Sequence, residues 1–427
     1  MKIYSAGNCA GLIARTFDER AKELAAVKEI LAAVRERGDE AVFAYEEKFD
    51  RTALTRETFR VTEEEFAAAE RAVEPEFLVS LKKAIDNIYA YHVRVGRRDT
   101  VETKDGRTTG YVVRAVDRAG IYVPGGTAPL SSSVLMGVLP AKAAGVQHIV
   151  VVTPAKEGKV SPYTLAAAKA CGVTEVYKCG GAQAIAALAY GTESVPKADV
   201  IAGPGNIYVT LAKKEVYGQV GIDMLAGPSE ILIIADGTAD PAYVAADVLS
   251  QAEHDVLARA IVVTTDASLA EKIAAEVETQ LKKLPRERIA RSSVENGGGI
   301  IVADTPEQAC DIANAIAPEH LELYVADPAA LLPLIRNAGA VFMGGYTPEP
   351  VGDYFAGPDH ILPTSGSAKF FQVLNEDVFT RKMSVISYTR EALRADGADI
   401  IRLAKSEGLD AHANAVAIRL KDMEENK

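Results

Sequence analysis

The sequence predicts an α/β fold built on parallel sheets, because two series of short apolar segments alternate with alanine-rich segments of helical length. Such alternation is typical of parallel strands joined by crossover helices. Length and composition agree with this fold class. The chain has 427 residues, of which 48% are hydrophobic and 25% charged, and this predicts a globular protein of two or three domains.

Ahead of the first series, residues 18–95 are predicted to be helical, since apolar side chains recur every three or four positions between Glu, Lys and Arg. Arg37-Gly38-Asp39 ends one helix and begins the next. Residues 104–107 (KDGR) form a turn between two short strands. The periodic apolar positions are Leu24, Val27, Ile30, Leu31 and Val34.

Two open α/β layers are expected from about Ala119 onward. After Gly227-Pro228 the second layer begins, and from about Pro363 the tail ends in two helices rich in Ala, Leu and Arg. That tail is either a small module or an arm that embraces a partner subunit. In the first layer the strands are predicted at 121–123, 149–152, 173–177 and 199–201, with helices at 133–144, 163–170, 182–190 and 206–217. In the second layer the strands are predicted at 231–235, 260–263, 300–302, 321–325 and 340–342.

Charge and cysteine usage argue against several classes of protein. The net charge of −12 disfavours binding to nucleic acid or to anionic membranes. The first residues lack the apolar core of a signal peptide, and no apolar run approaches the ~18 residues that span a bilayer. The four cysteines are scattered without a CxxC pair, which favours free thiols over disulfides. We therefore expect a cytoplasmic protein.

Gln251 and His254 form the first candidate metal-binding pair. Both fall in a predicted helix over residues 241–255, and side chains three residues apart share a helix face. An imidazole nitrogen and an amide oxygen suit zinc better than a soft metal. Two residues do not make a site, so the pair alone is a weak signal.

Glu319 and His320 are the candidate pair for proton transfer. Pro318 ends the preceding helix, so the pair falls at a loop-to-strand junction, where functional groups of α/β sheets gather. An imidazole that titrates near pH ~6.5 can take a proton from an alcohol and return it. The adjacent carboxylate could position or activate a water molecule. From residue types alone, an ordinary exposed Glu-His pair is favoured over a catalytic one.

Asp353 and His360 lie in a stretch dense in Gly and Pro, residues 343–364. A long irregular segment inside a compact domain is usually functional. Asp353 supplies a hard oxygen ligand for a metal ion.

Glu407 and His412 lie five residues apart near the end of the chain. Gly408 is expected to end one helix and Asp410 to cap the next, so both side chains fall near a helix terminus. A charged helix end on the surface is the alternative interpretation of this pair.

No segment matches the GxGxxG dinucleotide fingerprint after a strand. Residues 203–206 (GPGN) follow a predicted strand and open a helix, so their amides could meet a phosphate. Residues 124–127 (PGGT) have the same character. Tight turns between strand and helix without a ligand are at least as good an explanation of both.

Several long blocks, in this order, make the whole chain similar to the histidinol dehydrogenase family. Such an ordered set is far more specific than any single motif above. The blocks are IYVPGG (121–126), GGAQAIAALAYG (180–191), GPGN (203–206), GPSE (227–230), QAEHD (251–255), APEHLEL (317–323), GDY (352–354) and the final His412.

The resemblance implies two incomplete Rossmann-like, parallel-sheet domains of aldehyde-dehydrogenase-like type, with small helical segments at both ends of the chain. Residues 1–17 would form an N-terminal segment, and 18–118 with 227–365 a discontinuous first α/β domain that holds the metal and the substrate. Residues 119–226 would form an inserted NAD-binding domain. Residues 366–427 would form a C-terminal arm that contributes to the partner subunit's site.

The resemblance also implies the activity, which is oxidation of L-histidinol to L-histidine through histidinal, the last steps of histidine biosynthesis. The reaction would take four electrons in two NAD-dependent steps, in a homodimer with shared active sites and one zinc ion per site. His320 would act as the base in both steps and Glu319 would activate water. The remaining implied contacts are zinc at Gln251, His254, Asp353 and His412, with His412 from the other subunit; substrate at the same four residues and at Ser229, His320 and Glu407; and NAD at Tyr122, Gln183 and Asn206.

Two rival functions are weighed against this one. A relative that oxidises another small alcohol, such as a sulfonated diol, would use the same chemistry, but a sulfonate fits badly beside the carboxylate of Glu407. A zinc metallohydrolase with Glu319 as its base would need no nucleotide. We favour the histidinol dehydrogenase interpretation over both rivals, because Ser229, Glu407 and the predicted NAD contacts are all present.

Overall fold

The computed structural model describes residues 1–14, 20–125 and 130–425. These residues form three sheets and a large number of helices. The strands are β1 (Ile3–Ser5), β2 (Thr100–Lys104), β3 (Arg107–Ala115), β4 (Arg118–Tyr122), β5 (His148–Thr153), β6 (Glu175–Lys178), β7 (Val200–Ala202), β8 (Gly221–Ile222), β9 (Glu230–Ala235), β10 (Arg259–Thr264), β11 (Gly299–Val302), β12 (His320–Tyr324), β13 (Ala340–Met343) and β14 (Thr380–Tyr388). The helices are α1 (Ala10–Ile13), α2 (Ala21–Arg37), α3 (Asp39–Asp50), α4 (Arg56–Phe59), α5 (Glu63–Ala72), α6 (Pro75–Val95), α7 (Ser131–Ala143), α8 (Pro162–Ala170), α9 (Gly181–Tyr190), α10 (Ile207–Val216), α11 (Pro241–Ala252), α12 (Ala267–Leu281), α13 (Glu287–Asn296), α14 (Pro306–Ile316), α15 (Pro328–Leu331), α16 (Glu349–Tyr354), α17 (Arg390–Ser406) and α18 (Asp410–Glu425).

Two of the sheets are parallel, which confirms the predicted fold class. The first sheet has the strand order β1-β11-β10-β9-β12-β13, and the second has the order β6-β5-β4-β7-β8. All neighbouring strands in both sheets run in the same direction. Each strand predicted in the two layers is present. In β9 and β10 the reason is clear, because their continuous runs of Ile, Leu and Val are buried on both faces of a helix-covered sheet.

Each parallel sheet contains a point at which the order of its strands reverses. In the first sheet the chain builds from β9 to β10 and β11 on one side, and then adds β12 on the other side of β9. In the second sheet it builds from β4 to β5 and β6, and then adds β7 on the other side of β4. A crevice opens at such switch points, and open α/β sheets bind ligands there.

The first sheet buries alternate side chains against helices on its two faces. Ile231 and Ile233 of β9 pack with helices α11, α12 and α13, whereas Leu232 and Ile234 of the same strand pack with α14 and Leu12. Successive side chains of a strand point to opposite faces, so one apolar run serves both cores.

Helices α2 and α3 pack over the second sheet. Val27, Ile30, Leu31 and Val34 of α2 are buried in one cluster with α9, α10 and strands of the second sheet. An apolar helix face needs a partner, but its spacing does not say which sheet supplies it. The predicted limits of the inserted domain, 119 and 226, remain a prediction.

The chain separates into two compact units, residues 1–95 with 116–379, and residues 96–115 with 380–427. The second unit contains the third sheet, of order β14-β3-β2, which is antiparallel, and helices α17 and α18. The predicted hairpin around residues 104–107 is present in this unit. It joins the C-terminal segment because β14 pairs with β3 from Thr380↔Ala115 to Tyr388↔Arg107.

Among the helices that the structure describes, none combines the length and the apolar character needed to cross a membrane.

Candidate active site

The candidate active site lies in the first unit, at the amino ends of β9 and β12. His320 is the first residue of β12, and its Nδ1 lies 3.1 Å from the carbonyl oxygen of Glu230, the first residue of β9. His320 is 3% exposed, so the alternative of an ordinary exposed pair is wrong. The predicted loop-to-strand junction is correct, although the site uses the amino ends of the strands, opposite to the carboxyl ends that open sheets usually offer to ligands.

Glu319 is buried beside His320 and anchored by the neighbouring strand. Its Oε2 accepts a hydrogen bond from the backbone N–H of Glu230 at 2.8 Å and lies 3.8 Å from Nδ1 of His320. Burial raises the pKa of Glu319 to about 8, although the His320 charge and the Glu230 N–H oppose the rise. A carboxyl group in this state can take up and release a proton near neutral pH.

Carboxylates around His320 make its imidazole strongly basic. Burial alone lowers the pKa of His320, but the charges of Glu319, Asp353 and Glu349 outweigh it and raise the pKa to about 10. Because Nδ1 donates to the Glu230 carbonyl, the neutral ring keeps its lone pair on Nε2. That nitrogen is therefore the atom at which the ring gains and loses its proton.

Helix α16 brings Glu349 and Asp353 to the Nε2 side of His320. They are four residues apart and share one face of the helix. Oδ1 of Asp353 lies 3.5 Å from Nε2 of His320, and the backbone carbonyl of Asp353 accepts a hydrogen bond from Nδ1 of His360 at 3.0 Å. Glu349 was not foreseen from the sequence. Its spacing from Asp353 in a short helix is the signal that could have pointed to it.

Gln251 and His254 lie on one turn at the end of α11, but only Gln251 is helical. The predicted helix over 241–255 ends at Ala252, because the chain must turn there to enter β10 at Arg259. The N–H of His254 still donates to the Gln251 carbonyl at 3.2 Å, which keeps the two residues on the same turn. Partial burial lowers the pKa of His254, so its ring is neutral and able to bind a metal near pH 7.

The amide of Gln251 is fully buried against Glu349. In the orientation that pairs both ends, Nε2 donates to the two Glu349 oxygens at 3.0 and 3.1 Å, and Oε1 accepts from the Glu230 N–H at 3.2 Å. In the opposite orientation the amide oxygen faces the carboxylate with no proton between them. A bound cation is what stabilises such a pair of acceptors.

The donor set of this cluster fits a zinc ion. His320, Glu349 and Asp353 each offer a ligand atom, and these atoms lie within 4.8 Å of one another. Nε2 of His320 and Oδ1 of Asp353 are buried and have no hydrogen-bond partner in the described part of the chain. Buried polar atoms are normally satisfied, so a nitrogen and an oxygen without partners in one cluster are compatible with a metal site.

Glu407 and His412 belong to the second unit, whereas the other predicted site residues belong to the first. Both side chains are exposed. Glu407 caps the end of α17, Gly408 follows with φ 72°, and α18 begins at Asp410, as the sequence predicts. The fourth predicted zinc ligand and one predicted substrate contact are therefore presented on the surface of that unit.

The predicted nucleotide contacts lie at the carboxyl ends of the second sheet. Asn206 is exposed and caps α10, accepting from the N–H groups of Tyr208 and Val209 at 3.0 and 3.2 Å. It follows β7, which borders the switch point with β4. Gly203 has φ 121°, and a Cβ there would collide with the Tyr122 carbonyl. Only glycine allows the two strands to approach so closely.

Tyr122 and Gln183 are brought together at the same edge but below the surface. The hydroxyl of Tyr122 accepts from the Gly181 N–H at 3.2 Å, and Gln183 is 1% exposed. In the other candidate phosphate turn, Pro124 and Gly125 are present, whereas residues 126 and 127 lie outside the described ranges.

A seven-residue segment, 223–229, connects the nucleotide edge of the second sheet to the metal cluster at the first. Thr210 of α10 donates its hydroxyl to the Ala226 carbonyl at 2.9 Å, and the Gly227 N–H donates to Oγ1 of Thr364. Ser229 is half-buried at the end of this segment, next to Glu230. An extended chain of this length spans at most about 25 Å, which limits the distance between the two edges that it connects.

Comparisons with known proteins agree in one assignment. A family model described as histidinol dehydrogenase matches residues 14–420. A histidinol dehydrogenase of Bacillus cereus is 52% identical over 399 residues, covering 93% of this chain and 92% of the relative. One from Listeria monocytogenes is 52% identical over 397 residues, with the same coverage. The crystal structure of histidinol dehydrogenase from Elizabethkingia anophelis matches with a TM-score of 0.96 at 38% identity, covering 99% of both chains. With its fold, its buried His-Glu pair and these relatives in agreement, the chain belongs to the histidinol dehydrogenase family.

Proposed function

We propose that the protein oxidises L-histidinol to L-histidine through histidinal, with two NAD molecules as hydride acceptors. The observation that carries this proposal is the buried His320, whose neutral ring would present Nε2 as the proton acceptor within a cluster that also contains Glu349 and Asp353. A general base next to a metal site and a nucleotide edge is what the removal of a hydride from an alcohol requires.

In the first step Nε2 of His320 would take the hydroxyl proton of histidinol. The carbon that bears this hydroxyl group would lose a hydride to the nicotinamide of bound NAD. Two electrons thus pass to NAD and an aldehyde remains. Glu319 then takes a proton from water as the oxygen of that water bonds to the aldehyde carbon, and His320 returns its proton to the former carbonyl oxygen, which gives the hydrate and leaves the imidazole neutral again. His320 accepts a hydroxyl proton of the resulting hydrate, and a second hydride leaves to give the carboxylic acid.

Gln251, His254 and Asp353, with His412 of a second copy, would hold one zinc ion in each active site. When bound, zinc supplies a fixed positive charge that anchors the imidazole and amino nitrogens of the substrate. Ser229 and Glu407 would complete the pocket, and the Glu407 carboxylate suits a cationic or N–H-donating ligand. The buried Oδ1 of Asp353, which has no hydrogen-bond partner among the described residues, supports the metal assignment.

Tyr122, Gln183 and Asn206 would contact NAD at the edge of the second sheet. Their position beside the switch point of β4 and β7 supports this assignment.

A homodimer with shared active sites would bring His412 and Glu407 to the metal cluster of the partner copy. Exposed apolar side chains in the second unit support a partner surface, since Ile386 is 74% exposed, Leu403 68% and Ile418 59%.

The test is NADH formation by the zinc-loaded enzyme with L-histidinol and NAD, followed at 340 nm. His320→Ala should lower kcat by about 10² to 10⁴-fold, because it removes the base for both hydride steps. His148→Ala is the matched control, since His148 is exposed at the start of β5, and it should leave the rate unchanged. No NADH from the folded, zinc-loaded protein, or full activity of His320→Ala, would overturn the proposal.

A further inference from the structure

A buried carboxyl group on α3 reaches the nucleotide edge of the second sheet from far away in the sequence. Oε1 of Glu46 accepts two hydrogen bonds, from the backbone N–H of Gly180 and from Nε2 of Gln183, both at 2.9 Å. Glu46 is fully buried. Nothing in the proposed chemistry uses this group, and its contacts join a helix outside the sheet to the turn between β6 and α9.

The first consequence concerns the orientation of the Gln183 amide. An amide can present either its NH₂ or its oxygen to a ligand. Because Glu46 engages Nε2, the oxygen of Gln183 is held on the other side, where it lies against Gly181, near the position that a Cβ would take. This Oε1 is buried and has no hydrogen-bond partner among the described residues. It is a fixed acceptor for an N–H or O–H donor.

The second consequence concerns the amides at the start of α9. The Gly180 N–H is taken by Glu46, and the Gly181 N–H is taken by the Tyr122 hydroxyl at 3.2 Å. The N-terminus of a helix binds phosphate through backbone N–H groups that have no other hydrogen-bond partner. These two are occupied, so a dinucleotide that approaches Gly180 and Gly181 finds the side-chain oxygen of Gln183 as an acceptor and not two unpaired N–H groups.

The surroundings of Glu46 favour a neutral, proton-bearing carboxyl group. Burial, with a smaller contribution from the nearby Asp50 carboxylate, raises its pKa to about 8 against the opposing effect of the two N–H donors. Oε2 of Glu46 accepts no hydrogen bond from the described residues. A proton on that oxygen can be shared with Asp50 and leaves Oε1 as the acceptor for both donors.

We propose that Glu46 is a positioning residue of the cofactor site, which fixes the Gln183 amide so that its oxygen accepts from a carboxamide or hydroxyl group of the nicotinamide dinucleotide. This inference rests on the proposed use of NAD. Glu46 itself touches no substrate, so its effect should appear in cofactor affinity and not in the chemical steps.

The experiment measures initial rates against NAD concentration at saturating L-histidinol, and NADH binding by fluorescence titration. Glu46→Ala removes the acceptor and should raise KM for NAD about tenfold, as expected for one lost hydrogen-bonded orientation, with kcat and KM for histidinol within about twofold. Glu46→Asp withdraws the carboxyl group by one methylene and should have a similar effect. Glu46→Asp therefore tests the inference if Glu46→Ala does not fold.

Glu46→Gln is the rescue variant. A glutamine oxygen in the place of Oε1 accepts from both donors, and its NH₂ group in the place of Oε2 can donate to Asp50, so KM for NAD should stay within about twofold of the wild type. Asp39→Asn is the matched control. Asp39 is buried on the same helix and binds Ser194, beyond the opposite end of α9, so its loss should lower stability without changing KM for NAD.

An unchanged KM for NAD in folded Glu46→Ala or Glu46→Asp would overturn the inference. So would a Glu46→Gln variant as impaired as Glu46→Ala, since a purely structural or charge effect would then explain the loss. If the wild type forms no NADH from histidinol, the proposed reaction fails, but the fluorescence titration still decides the role of Glu46. If Glu46→Ala binds NADH as tightly as the wild type does, the proposed role of Glu46 is refuted.

Discussion

Replacing Lys213 with methionine should destabilise the protein by unpairing a buried carboxylate beneath the nucleotide edge. The ammonium group of Lys213 forms an ion pair with Oδ1 of Asp223 and donates to the Gly203 carbonyl at 3.0 Å. The two side chains are 3% and 0% exposed. Oδ2 of Asp223 also accepts from the Gly203 N–H at 2.8 Å, so the pair holds both polar backbone groups of this glycine.

The expected loss in the free energy of unfolding is about 3–5 kcal/mol, the cost of leaving one buried charge without its partner. Methionine keeps most of the aliphatic stem of Lys213, so the loss of charge and not a cavity dominates the change. The double variant Lys213→Met with Asp223→Asn should recover at least half of the loss, because a neutral amide no longer needs a counter-ion.

Urea-induced unfolding followed by circular dichroism measures these differences. Lys214→Met is the matched control, because Lys214 is the exposed neighbour on the same helix and should change stability by less than about 0.5 kcal/mol. A loss below about 1 kcal/mol for Lys213→Met, or no recovery in the double variant, would refute the reasoning that this ion pair supports the turn.

Three further predictions concern packing, pH and assembly. Gly137→Ala should cost about 1–3 kcal/mol and lower Tm, because α7 packs so closely on β4 that a Cβ would collide with Ile121; an unchanged Tm contradicts this. The pKa of Glu46 is about 8 in the folded protein, and its ordinary value is 4.5. Between these pH values the unfolded chain has lost a proton that the folded chain keeps. Glu46 therefore makes the free energy of unfolding fall as pH rises. Glu46→Gln lacks this term, so its stability relative to the wild type should rise from pH 5 to 8, by at most about 1.4 kcal/mol per pH unit, and parallel curves in urea unfolding would speak against it. If the active sites are shared, mixing inactive His320→Ala and His412→Ala chains should restore about a quarter of wild-type activity, because random exchange gives half heterodimers with one intact site each, and a mixture that stays inactive after exchange excludes shared sites.

Strand positions could be predicted from the sequence because a strand covered by helices on both faces must be apolar throughout. Runs such as residues 231–235 have that character, and β9 occupies them. The partners of amphipathic helices could not be predicted in the same way. The apolar stripe of α2 fits any sheet face, and only the three-dimensional packing shows that it covers the second sheet.

Within the site, sequence spacing could predict contacts between residues on one helix or strand. It could not predict contacts between residues that are distant in the sequence. Gln251 and His254 were predicted as a pair because they are three residues apart, although the helix ends between them. Glu349 was missed because it lies in a Pro-rich segment where no helix was expected. Glu46 was missed because 134 residues separate it from Gly180, and no local pattern records such a contact.

The stoichiometry of NADH tests the central claim most directly. A limiting, known amount of L-histidinol is converted to completion by the zinc-loaded enzyme with excess NAD, and NADH and histidine are both measured. We expect two NADH and one histidine per histidinol, because His320 serves two successive hydride transfers at one site. One NADH per histidinol with histidinal left over, or no NADH at all, would contradict it.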